Sequence, residues 1–230
     1  MVLTQENHVI YGLMAKKEIL KLMVGFRRFR EKFFNQDSAL FDKLTHGQAP
    51  KTLIIACSDS RVDPALMASA NPGELFVVRN VANLVPPYES SLLGLHGVSA
   101  AIEFAVTGLK VENIVILGHR QCGGIRALMA GSHAQKDSFV GKWMSIAEPA
   151  KAKVLNEHGM AESEAQMDVL CRHCEMESIS VSIENLKTFP FVNDAIQERN
   201  LNIMGIYFDL EQGHLFEFDE ILRKFSLVQL

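Results

Sequence analysis

A chain of 230 residues, 48% of them apolar, can bury a sizeable core, which excludes extended disorder. A net charge of −4 argues against nucleic acid as the main partner, and no stretch approaches the roughly 20 apolar residues that a membrane helix needs. The first residues, Met1 to Glu6, lack the basic-then-apolar pattern of a secretory signal. The four cysteines therefore point to a reducing cytoplasm, where grouped Cys and His serve metal or catalysis more often than disulfides.

Residues 13–36 read as helix, in one or two pieces, with an apolar stripe running from Leu13 through Leu20 and Val24 to Phe26, Phe29, Phe33 and Phe34. Arg27, Arg28 and Arg30 lie among these aromatics and read as a solvated helix face rather than a nucleic-acid patch. Asn35 or Asp37 can stop the helix, and a shorter one follows over 38–44. Strands are expected at 52–56, 75–79 and 113–118, separated by a short helix from Asp63 or Pro64 to Ala70, a loop over 80–89 and a buried helix over 90–108. Gly123 and Gly124 open a further helix to about Met129. Residues 138–189 are helical in character, with a break at Gly159, and strands over 201–210 and 215–218 form a hairpin. This alternation predicts an α/β fold: a mostly parallel central sheet flanked by helices, with an N-terminal helical arm and a C-terminal antiparallel edge hairpin. One domain over 1–230 is expected, residues 1–50 forming the arm and 51–230 the α/β core.

Two strand ends carry the chemistry. The run Leu53-Ile54-Ile55-Ala56 ends in Cys57, Asp59 and Arg61, and the third strand ends in His119-Arg120-Gln121-Cys122. In an open parallel sheet these ends share one edge, so Cys57, Asp59, His119 and Cys122 come together as a sulfur-rich set suited to zinc. The alternative is two small buried thiols and a satisfied loop histidine. Asp59 and Arg61 are spaced for an ion pair. If the arginine holds the carboxylate, three protein ligands and an open position remain; if it lets go, Asp59 becomes a fourth ligand.

The run Cys57-Ser-Asp-Ser-Arg61, together with His119-x-x-Cys122-Gly-Gly124 and the stretch from Pro72 to Tyr88, resembles the β-class carbonic anhydrases. The match is nearly continuous over 48–128 and weaker over 171–218. The resemblance implies zinc held by Cys57, His119 and Cys122, with Asp59 paired to Arg61 in an open centre. It implies reversible hydration of carbon dioxide to bicarbonate and a proton by zinc-bound hydroxide, toward which Asp59 accepts a hydrogen bond. Gln48 matches a substrate-contacting glutamine of plant-type members. Phe76, Val81 and Phe104 match apolar pocket residues, Phe104 standing where some relatives carry tyrosine. Self-association as a dimer or tetramer, with the arm on a partner subunit, is also implied.

Ile54 and Phe208 stand where some bacterial relatives carry the tryptophan and tyrosine of a regulatory bicarbonate site, which implies a plant-like chain without that site. Cys171-Arg172-His173-Cys174 offers three ligand atoms but no distant partner, and reads as helical core with incidental thiols. Two other functions fit the same ligands: hydrolysis of carbon disulfide or carbonyl sulfide, and a non-catalytic zinc-binding regulatory role. A nucleotide-binding domain is disfavoured, because no Gly-x-Gly-x-x-Gly or Walker-type loop occurs.

Overall fold

A computed structural model describes residues 17–36, 38–89, 96–132 and 138–229. The expected helical turns at 13–16 and 90–95, and Asp37 as a stop, lie outside those residues. The chain divides into two compact units, Met1–Gln48 and Ala49–Leu230.

In the first unit, α1 (Lys17–Arg30) runs on through a wider π-type stretch, Glu31–Gln36, before α2 (Ala39–Leu44). Aromatic rings join the pieces: Phe29 lies 4.9 Å from Phe33 and 5.6 Å from Phe41, and Phe34 stacks on Phe41 at 4.6 Å. Arg27, Arg28 and Arg30 occupy the last turn of α1, just before the helix widens into the π-type stretch.

The second unit is built on six strands: β1 (Thr52–Cys57), β2 (Leu75–Asn80), β3 (Asn113–His119), β4 (Asn202–Asp209), β5 (His214–Asp219) and β6 (Lys224–Leu227). Their order is β2-β1-β3-β4-β5-β6, parallel through β4 and antiparallel beyond it. The α/β class, the parallel centre and the C-terminal hairpin all agree with the sequence reading. The third antiparallel strand, β6, was not anticipated. Between the strands lie α3 (Pro64–Met67), α4 (Gly97–Glu103), α5 (Gly123–Met129), α6 (Phe139–Met144), α7 (Glu148–His158), α8 (Glu164–Leu186) and α9 (Pro190–Arg199). Gly159, at φ +77°, ends α7 as expected. Helix α9, beyond the anticipated helical region, starts on Pro190 at its first turn and closes on Asn200 in the left-handed conformation.

Side chains alternate along β1. Leu53 and Ile55 pack with Ile114, Ile116, Ile179 and Ile183 beneath α8, and Cys57 continues that face into the cluster containing Cys122 and Cys174. Ile54 and Ala56 turn to the opposite face with Val62, Leu117 and Phe208. Each fully buried Leu or Ile contributes roughly 1.5–3 kcal/mol. Helix α8 sits close to the sheet because Gly118 and Gly205 carry no side chain: a Cβ on either would stand 2.7 Å from a carbon of Ile179. That approach brings α8 behind the ends of β3 and β4.

Candidate metal centre

Strand β1 lies between β2 and β3, so the chain leaves it on one side and returns on the other. A crevice opens at such a switch point, beyond the carboxyl ends of the strands. Cys57 is the last residue of β1 and His119 the last of β3. Cys122 caps the start of α5. Gln121, between the last two, takes φ +60°, a left-handed conformation that costs on the order of 1–3 kcal/mol in a residue with a side chain. The turn that delivers Cys122 is therefore strained.

The ligand atoms of Cys57, His119 and Cys122 lie within 4.8 Å of one another, and all three residues are buried. The two sulfurs are 4.0 Å apart. Two thiolates at ~2.3 Å on a tetrahedral ion would stand roughly 3.8 Å apart. The His119 ring lies with Nδ1 2.8 Å from the Arg120 carbonyl, so Nδ1–H donates and the Nε2 lone pair is free. Nε2 is buried without a hydrogen-bond partner. An orphaned imidazole nitrogen facing two close sulfurs fits a bound cation of the zinc type. It is the single group of three potential ligands among the described residues.

A hydrogen bond with Cys122 pulls the Cys57 thiol down to about 4 against the opposing effect of burial, and His119 and the amides of Asp59 and Ala82 add to the lowering. That same bond, followed by burial, pushes Cys122 well above the ordinary thiol range. The pair thus gives up one proton readily and keeps the second until a cation displaces it. Burial works against a charged His119, but the neighbouring Cys57 sulfur, with help from the Arg120 carbonyl and the Asp59 charge, outweighs it and raises its pKa.

Asp59 is held by three bonds from Arg61. The backbone N–H and Nε both donate to Oδ1 at 2.9 Å, and Nη2 donates to Oδ2 at 2.8 Å. These bonds keep the Asp59 carboxyl far below the usual carboxylate range. Arg61 Nη2 also donates to the Gln121 carbonyl at 3.0 Å, tying the two ligand-bearing turns together. Asp59 Oδ2 stands 3.9 Å from His119 Nε2, beyond hydrogen-bonding distance. Asp59 is therefore paired with Arg61 and makes no hydrogen bond to His119. Arg79 supports the turn from below: Nε donates to the Cys57 carbonyl at 3.0 Å, and Nη2 to those of Asp59 at 2.6 Å and Val62 at 2.9 Å.

A family model described as carbonic anhydrase matches residues 52–215. A β carbonic anhydrase 3 from Arabidopsis thaliana is 37% identical over 204 residues, covering 86% of this chain and 77% of that protein. The chain belongs to the β-carbonic anhydrase family. The solved structure of the β-carbonic anhydrase CcaA superposes with a TM-score of 0.84 at 32% identity, covering 94% of both chains. One of two structures described as tetrameric β-carbonic anhydrases, from Sordaria macrospora, matches with a TM-score of 0.66 at 28% identity over 92% of this chain and 96% of that one. This chain is accordingly a carbonic anhydrase, a lyase acting on carbon dioxide.

The remaining expected site residues of this carbonic anhydrase divide by position. Val81 directly follows β2 and sits beside the ligand turn: a Cβ on Gly124 would stand 2.9 Å from Val81 Cγ1. Gly124 thus allows Val81 to approach closely, whereas a Cβ on Gly123 would meet nothing. Phe76 and Phe104 pair with each other at 5.8 Å. Phe76 lies opposite Leu53, four residues before the Cys57 row, or about 13 Å along the strand. Within one chain the pair does not border the ligand cluster. Gln48 is the last residue of the first unit. Ile54 and Phe208 share an apolar cluster on the opposite sheet face. Cys171 and Cys174 are buried on α8, and neither joins a group of three potential ligands among the described residues.

Several charged neighbours of the turn were not anticipated. Glu175, on α8, is buried and accepts the Cys122 N–H at 2.9 Å. Tyr207, on β4, is fully buried and donates its hydroxyl to the same carboxylate at 2.8 Å. Arg120 is buried and paired with Asp168, and Gln121 Nε2 donates to Glu211 at 2.6 Å. The available signal was an acid set among Cys174, Ser178 and Ile179 on a helix face with no solvent side.

Proposed function

We infer that the chain hydrates carbon dioxide reversibly to bicarbonate and a proton at a zinc ion held by Cys57, His119 and Cys122. The observation that carries this reading is the meeting of two thiols and an orphaned imidazole nitrogen within 4.8 Å at adjacent strand ends, with the nearby carboxylate restrained by an arginine. When bound, zinc supplies hydroxide from water near neutral pH. Cys57 and Cys122 as thiolates and His119 as a neutral imidazole would hold the ion and balance its charge. The Arg120 carbonyl fixes the His119 tautomer that presents Nε2.

Asp59 is the catalytic carboxylate. Held ionised by Arg61, it cannot donate a hydrogen bond, so it accepts one from the reacting oxygen and orients the lone pair toward carbon. Arg61 keeps that carboxylate from taking the open position itself. Val81 lends an apolar wall suited to a nonpolar substrate. Phe76, Phe104 and Gln48 act on a metal centre through subunit association, for which residues 1–50 serve as the arm. Helix α1 supports that role: it has no buried residue and exposes Leu22, Met23, Val24 and Phe26. A dimer or tetramer is the working unit. No helix among the described residues is long and apolar enough to cross a membrane, and a centre built on free thiols suits the reducing cytoplasm.

The test is zinc content with stopped-flow hydration of carbon dioxide before chelation, after it and after zinc is restored. One zinc per chain and activity that falls and returns with it are expected. Full activity in zinc-free protein would overturn the reading. Turnover of carbonyl sulfide or carbon disulfide without hydration of carbon dioxide would reassign the substrate.

A further inference from the structure

We propose that Glu175 is a positioning residue of the metal centre, whose buried carboxylate fixes the backbone of Cys122 and so sets how tightly the chain holds its metal. The proposal rests on the ligand set Cys57, His119 and Cys122. Glu175 is 2% exposed, and both its oxygens are engaged. One accepts the Cys122 N–H at 2.9 Å, and the other accepts the Tyr207 hydroxyl at 2.8 Å. The carboxylate thereby joins α8, β4 and the ligand turn. A buried carboxylate is costly unless fully hydrogen-bonded, and an apolar residue would fill the same space without that cost. What the acid provides and an apolar residue cannot is an acceptor for the amide of a ligand.

That amide needs holding. The turn from His119 to Cys122 carries the strained left-handed Gln121 and is pinned at three points. The Arg120 N–H donates to the Phe208 carbonyl at 2.8 Å, Arg61 Nη2 donates to the Gln121 carbonyl at 3.0 Å, and the Cys122 N–H donates to Glu175. The third pin lies on the backbone N–H of a ligand residue. Glu175 is not itself a ligand, since its oxygens face the Cys122 amide and Tyr207 rather than the sulfurs. Outer partners that orient metal ligands are typically worth ten- to hundredfold in affinity.

The experiment compares wild type, Glu175→Gln, Glu175→Leu and Tyr207→Phe in two readouts: the zinc dissociation constant by competition with a chromophoric chelator, and the visible d–d spectrum after cobalt(II) substitution. Glutamine keeps an acceptor for the Cys122 N–H and pairs its amide with the Tyr207 oxygen, so it is expected to stay within about threefold of wild type. Leucine fills the space but leaves the amide unpaired; it is expected to weaken zinc by roughly ten- to hundredfold and to shift the cobalt bands. Wild-type zinc affinity in Glu175→Leu, or an equal loss in Glu175→Gln, would overturn the proposal. Should Glu175→Leu fail to fold, Tyr207→Phe decides: weaker zinc binding with shifted cobalt bands supports the role, and wild-type values in both readouts overturn it. A wild-type chain that binds no zinc would instead overturn the ligand assignment, and the wild-type control shows this on its own.

Discussion

Truncating Arg61 tests whether a held carboxylate is what keeps the centre productive. Arg61→Ala removes the Nε and Nη2 bonds to Asp59 and leaves only the backbone N–H. Charge-assisted bonds of this kind are worth about 1.5–3 kcal/mol each in covered sites. The Arg61 side chain is 48% exposed, so solvent screens the pair, and about 2 kcal/mol for both bonds together is the appropriate scale. At ~1.4 kcal/mol per tenfold, the productive Asp59 orientation loses roughly 30-fold in population, and kcat/KM for carbon dioxide falls by about that factor. Arg61→Ala also removes the bond to the Gln121 carbonyl, but Arg61 touches none of the three ligand side chains, so zinc content should remain one per chain when zinc is supplied in excess. Arg61→Lys keeps the charge but not the two-pronged fork, and should fall between the two. Stopped-flow hydration at matched zinc content is the assay; Arg61→Ala with more than half of wild-type activity would refute the reasoning. Acid stability gives a second readout. A depressed carboxyl contributes stability that is present above the ordinary carboxylate pKa and is lost as pH falls through its folded value. Wild type should therefore exceed Arg61→Ala in stability at neutral pH, with the gap closing in strong acid.

Burial pushes the Cys174 thiol up to about 12, so at pH 8 its thiolate is scarce and native protein should resist alkylation there; rapid labelling seen by peptide mass spectrometry would contradict this. In Gly124→Ala the new Cβ meets Val81 Cγ1 at 2.9 Å and Met144 Sδ at 3.2 Å, an overpacking expected to cost roughly 1–3 kcal/mol; an unchanged thermal midpoint would show that the wall gives way. With Ile54 and Phe208 in an apolar cluster, hydration should fall without cooperativity as pH drops and show no matching bicarbonate inhibition; a steep, bicarbonate-linked loss would reveal a regulatory site.

What could be read from the sequence was whatever is set by local pattern. Leu53 to Ala56 is a short apolar run that reads as a buried strand, which puts the thiol, the acid and the arginine directly after it at its end. The same holds for the third strand and His119. The parallel order then brings Cys57 and His119 together without any knowledge of packing. Partners set by tertiary approach were not legible. Glu175 lies 53 residues from Cys122, and only the close seating of α8 over Gly118 and Gly205 brings them together. Strand β6 was missed because Lys224-Phe225-Ser226-Leu227 is short and mixed, and becomes a strand by pairing with β5. Helix α9 carried a usable signal in Pro190 and Asn200 that the hydrophobic pattern alone did not weigh. Phe76 and Phe104 behave in one chain as an aromatic pair remote from the ligands, so their place in a pocket cannot be read from spacing.

Cys57→Ser gives the most direct measurement of the central claim. It replaces one sulfur of the cluster with an oxygen that stays protonated near neutrality, at nearly constant volume. Zinc per chain and stopped-flow hydration of carbon dioxide are measured on the same sample. The expected result is loss of bound zinc and of hydration together, in a chain that remains folded. A Cys57→Ser protein that hydrates carbon dioxide at the wild-type rate would contradict the account.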